Sequence, residues 1–182
     1  MVLGRWARSP LGAFADVMVE RADGRRLLLA PTDDIAQFVA ATYRFDEVVV
    51  GPVDVAVTGP VWRVAAGPLA ATFHVGRRSA LGALLRLQPA ALTTSPLLAQ
   101  AVQPLATILL PGVSTLGTAG SGRREWYGAR DQHLLAAARV FWDGRDLGGL
   151  HDIDPPARFG FSSTPARPSV VRVVSTVEVP DR

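Results

Sequence analysis

LQPAALTTSPLLAQAVQPLATILLPGVSTLGTAGSG, residues Leu87 to Gly122, holds no charged side chain. The segments on either side alternate apolar and polar residues as strands do. This one does not. Ser95-Pro96 is a helix start, a cap followed by proline in the first turn. Leu98, Val102, Leu105 and Leu109 then recur at helical spacing. Pro104 kinks or splits that helix by removing a backbone donor, and Pro111-Gly112 stops it. Ahead of the stretch, Ser79 caps a shorter helix striped by Leu81, Leu84 and Leu85, which Pro89 ends. A buried helical insert over about 79–111 is therefore expected, with Val113 to Gly122 as a loop returning the chain to the sheet.

Working back towards the N-terminus, the pattern is β-rich. Ala13 to Glu20 and Arg25 to Ala30 form a strand pair around Asp23-Gly24, a dipeptide suited to a tight turn. On the first of them Val17 and Val19 share one face, with Asp16, Met18 and Glu20 on the other. Pro31-Thr32 opens a helix with Asp33 and Asp34 in its first turn, where the helix dipole favours negative charge. Its stripe is Ile35, Phe38, Val39 and Thr42, and it runs to Tyr43 and Arg44. Glu47 to Val50, Val53 to Thr58, Val61 to Ala66 and Leu69 to Val75 are strands. They are separated by Gly-Pro turns, which predicts antiparallel meander pairing.

Beyond the uncharged stretch, Arg124 to Ala129 is extended. Gln132 to Trp142 fits helix or strand. Strand is preferred because Trp142-Asp143-Gly144-Arg145 reads as a hairpin turn. Ser169 to Val179 alternates as a final strand. Gly-Arg-Arg recurs at Gly24, Gly76 and Gly122, each time leaving a turn, without marking a repeat. The expected fold is α+β: a mostly antiparallel, curved or barrel-like β-sheet of eight or nine strands, one early helix and the central apolar insert. A single domain spanning 1–182 is expected.

Composition removes several chemistries. Cysteine is absent, which excludes disulfides, thiolate nucleophiles and Cys-type metal sites. Lysine is absent too: all 19 basic side chains are Arg. Schiff-base chemistry and a P-loop lysine are therefore impossible. A formal net charge of +3, with no basic run and no interleaved aromatics, argues against nucleic acid. No secretory leader is read at the N-terminus, and Leu97 to Leu110 falls short of the roughly 20 residues a membrane helix needs. The expectation is a cytoplasmic protein with no membrane partner. The low charged fraction of 19% suits a self-associating protein, a homodimer for example.

Gly117 to Gly122 followed by Arg123-Arg124 has the glycine spacing of a Walker A loop without its lysine or its following helix. Its backbone N–H groups and Arg123 could still hold a small anion. Arg124, Trp126 and Tyr127, with Asp131 and His133 downstream, form the densest group of chemically able side chains. On an extended strand Asp131 and His133 share a face, and a carboxylate beside a His orients the ring as in a general base. His151, Asp152 and Asp154 are ligand-type residues in a surface-turn context, so no metal or other cofactor is expected.

Three functions follow. The first is a binding module whose mainly apolar pocket, between sheet and insert, takes a small apolar molecule. Leu105 and Leu109 would line it, with Arg124, Trp126 and Tyr127 at its mouth. The second is an enzyme doing acid–base chemistry on a carbonyl or carboxylate substrate, with His133 as base and Asp131 orienting it. The third is a homo-oligomeric interaction protein using the uncharged segment as its interface.

Overall fold

The structure, a computed structural model, describes residues 1–87, 116–118, 124–160 and 163–178, with side chains for all of these except 116–118, 124–127 and 175–178. The chain forms two compact units, Met1–His74 with Ala137–Leu150, and Val75–Ala136 with His151–Arg182.

The first unit begins with a four-stranded sheet, β1 (Val2–Trp6), β2 (Phe14–Glu20), β3 (Arg26–Ala30) and β4 (Glu47–Val50), in that order. The first two pairings are antiparallel and β3–β4 is parallel. The parallel pair follows from α1 (Asp33–Ala40), which carries the chain between the two strands. Thr32 caps α1, its hydroxyl oxygen accepting from the Ile35 N–H at 3.3 Å. Ile35, Ala36 and Val39 are buried. Phe38 meets Trp6 and Phe14 with ring centroids 5.9 and 6.1 Å away. The inner strands β2 and β3 supply the core: Val17, Leu28 and Ala30 are fully buried.

A second ladder in this unit joins β5 (Val53–Thr58), β6 (Val61–Ala66) and the first part of β7 (Leu69–Arg78), all antiparallel. Its tight turns place Gly59 and Gly67 at positive φ, where a side chain would be strained. Val64, Ala66, Leu69, Ala71 and Phe73 are buried on one face, and Trp62 stacks on its cross-strand partner Phe73 at 5.7 Å. The unit ends with the last residues of β9 (Arg124–Trp142) and a hairpin into β10 (Arg145–Asp146). Asp143 and Gly144 both take positive φ, as a two-residue turn of mirror-image type requires.

The second unit holds the rest of β7 and β9, together with α2 (Ala80–Leu85), β8 (Leu116–Thr118) and β11 (Ser169–Glu178). Both β8 and β11 pair antiparallel with β9. The strand order of the sheet to which β7 and β9 belong is β10-β9-β7-β6-β5.

The protein is thus α+β and mostly antiparallel, with two helices among the described residues. Gln132 to Trp142 is strand, part of a continuous 19-residue β9. Several details differ from the sequence reading. The β3–β4 pair is parallel, because a helix rather than a turn connects the two strands. β1 was not expected, since its five residues carry little alternation. β8 falls within the expected return loop. Helix α1 stops at Ala40, ahead of Tyr43. Gly76 lies inside β7 instead of leaving a turn. The strand orders among the described residues do not close into a barrel. Of the helical insert, α2 is described, and residues 88–115 lie outside the described residues.

Candidate functional site

In its pairing with β11, strand β9 shifts register between Ala129 and Asp131. Arg172 of β11 faces Asp131 of β9, and the next residue, Val173, faces Ala129. Arg130 is therefore an extra residue, a β-bulge. In a regular strand, neighbours point to opposite faces. At a bulge the extra residue is re-aimed, and here Arg130 and Asp131 line the same cavity, of about 360 Å3. Arg172 joins them from β11, and Leu85 and Arg86 from the end of α2.

Helix α2 is only six residues long and depends on β9 for its position. Ser79 caps it by accepting from the Gly82 N–H at 2.9 Å, and donates its own hydroxyl to Gln132 Oε1 at 2.7 Å. The Ser79 backbone N–H bonds to the Gln132 carbonyl at 3.0 Å. Gln132 is only 6% exposed, and its amide also donates to Ser169 Oγ of β11 at 3.3 Å. Gly82 lies directly against the Gln132 backbone. A Cβ there would come within 2.7 Å of Gln132 N and 2.9 Å of Arg78 Cγ. One buried amide thus ties β11, β9 and α2 together, and Arg86 stands at the C-terminal end of α2.

Asp131 is the cavity's one carboxylate among the described residues, and it is already engaged. Arg78 donates to it side-on, Nε to Oδ1 at 2.8 Å and Nη2 to Oδ2 at 3.1 Å. The Gln132 N–H adds a bond to Oδ1 at 2.9 Å. These donors, Arg78 foremost, hold the Asp131 carboxyl below the usual carboxylate range, so it stays ionised and paired. Arg86, Arg130 and Arg172 have no carboxylate of their own among the described residues. The sequence of this unit adds to the imbalance, with ten Arg against six acidic residues, where the first unit has nine against ten.

His133 stands beyond Asp131. Its Nε2 is 3.7 Å from Asp131 Oδ2, so the two side chains share a face, as their spacing on a strand predicts. Its Nδ1 lies 3.1 Å from the Gly76 carbonyl, which assigns the neutral ring's proton to that nitrogen. Both ring nitrogens therefore face protein oxygens.

The remaining candidates separate. Arg124, Trp126 and Tyr127 lie on β9, opposite Glu178, Thr176 and Ser175 of β11, with their side chains outside the described set. Leu105, Leu109 and Arg123 are outside the described residues. The glycine-rich loop leads into a strand, where a Walker A loop needs a helix. His151, Asp152 and Asp154 lie in irregular structure, and no three metal-ligating side chains cluster among the described residues. The arginine convergence has no local sequence signal. Arg172 reads as the polar residue of an alternating strand, and a bulge at Arg130 leaves no mark on composition.

Comparison with known protein families, with curated proteins and with solved structures finds no match to this chain.

Proposed function

We propose that the protein is a binding module for a small anion, held by Arg86, Arg130 and Arg172 at the β9 bulge. The observation that carries this is that three Arg residues, from the end of α2, β9 and β11, line one cavity whose carboxylate is already paired with a fourth Arg. Guanidinium groups present planar forks of donors that match carboxylate and phosphate oxygens. Arg keeps its proton and does not bind a cation, so such a cluster favours an anionic ligand.

Leu85 supplies the apolar part of the wall, and the small apolar ligand suggested by the sequence becomes a small organic anion. The His133–Asp131 pair is read as scaffold, supported by the Nδ1 bond of His133 to the Gly76 carbonyl and by the Arg78 bonds to both Asp131 carboxylate oxygens. Thermal unfolding in increasing citrate at constant ionic strength tests the proposal. Tm should climb with citrate concentration, as binding to the native state requires. The Arg130→Gln/Arg172→Gln variant should lose that climb, and His133→Ala should keep it. A wild-type Tm indifferent to citrate, phosphate and sulfate alike would overturn the proposal.

A further inference from the structure

Resting on that reading, we infer that the site takes a multiply charged anion, because Arg78 pairs with Asp131 and leaves the three Arg residues lining the cavity without a carboxylate of their own among the described residues. Arg78 is not among the residues lining the cavity. It approaches Asp131 with Nε and Nη2, filling one lone pair on each oxygen. The Gln132 N–H takes a further position on Oδ1, and His133 Nε2 stands 3.7 Å from Oδ2. The carboxylate therefore offers little to an ammonium group, which argues against a zwitterion such as an amino acid. A monocarboxylate would offset one charge of three. A ligand with two or more negative charges close together, a phosphate ester, a pyrophosphate or a di- or tricarboxylate, matches the number of Arg residues on the cavity.

Arg78 is thus a positioning residue, acting through Asp131. Replacing it with Met keeps its methylene stem, the part that lies nearest Gly82. It also turns Asp131 into an unopposed negative charge on the cavity wall. Replacing Asp131 with Asn removes that charge and frees Arg78 to add a fourth cation.

The experiment is calorimetric titration of acetate, succinate, citrate and pyrophosphate into the full chain at constant ionic strength. Affinity should rise by about tenfold or more for each added negative charge from acetate to citrate. Pyrophosphate against citrate distinguishes phosphate from carboxylate recognition. Arg78→Met should weaken pyrophosphate binding about tenfold. Arg78→Met/Asp131→Asn should restore it, and Asp131→Asn alone should bind at least as tightly as the wild type. A merely structural pair would instead make all three variants weaker. That result, or acetate binding as tightly as citrate, would overturn the inference while leaving the anion module standing. Absence of binding for every anion would overturn both.

Discussion

At the scale of single residues, the side chain whose environment departs furthest from its sequence pattern is Asp16. It sits on β2 among Val17 and Met18, where alternation assigns it to a polar face, yet it is 1% exposed. The pattern misleads because β2 is an inner strand, covered on both faces. The Trp6 indole N–H donates to its carboxylate at 2.8 Å. A side chain at Gly4 would run into that carboxylate, so β1 approaches closely only because residue 4 is Gly. Burial pushes the Asp16 carboxyl up to about 6, with the Trp6 bond acting in the opposite direction. The folded state therefore holds this proton more tightly than the unfolded chain. Its stabilising effect is complete below about pH 4, the unfolded range, and is lost as pH rises through about 6. A shift of about two units corresponds to about 3 kcal/mol at most. Asp16→Asn should remove this fall, so that the variant-minus-wild-type difference in unfolding free energy grows between pH 4 and 7. Urea titrations across that range measure it, and parallel wild-type and variant curves would show that Asp16 does not titrate there. Trp6→Phe should destabilise the protein by about 1–3 kcal/mol at neutral pH, because the buried carboxylate loses its donor.

At the scale of elements, short-range signals are legible in the sequence. The Thr32 cap with Asp33 and Asp34, the Gly59 and Gly67 turns, and the Asp143-Gly144 hairpin each rest on the conformational needs of a few residues. The strand nature of Gln132 to Trp142 followed from that hairpin, since its leucines and alanines favour neither state. What could not be read was pairing. The parallel β3–β4 contact and the bulge at Arg130 depend on partners distant in sequence. The site was half visible for the same reason. Asp131 and His133 share a face by strand spacing, but Arg78 reaches Asp131 from 53 positions away and Arg172 lies opposite it in the strand register from 41 positions away. Helix α2 offers the test of positioning at this scale. Gly82→Ala should push α2 away from Gln132, at a cost of about 1–3 kcal/mol from overpacking. It should weaken anion binding by displacing Arg86, while far-UV circular dichroism stays near that of the wild type. Full affinity in that variant would mean that the Gly82–Gln132 contact does not set the position of Arg86.

At the scale of the whole molecule, charge is unevenly divided. The net charge of +3 conceals a second unit that is basic by sequence and a first unit close to neutral. An all-Arg chain weakens the meaning of any single Arg, so the case rests on Arg86, Arg130 and Arg172 lining one cavity together. No helix among the described residues is long and apolar enough to cross a membrane. Whether Arg86, Arg130 and Arg172 together form a ligand site is decided by a single titration. Pyrophosphate is titrated calorimetrically into the wild type and into Arg130→Gln/Arg172→Gln, side by side at fixed ionic strength. The wild type should give a saturable 1:1 heat and the variant an affinity at least tenfold lower, since each lost guanidinium removes a charge-assisted bond of about 1.5–3 kcal/mol. Equal binding by both proteins, or none by either, would contradict it.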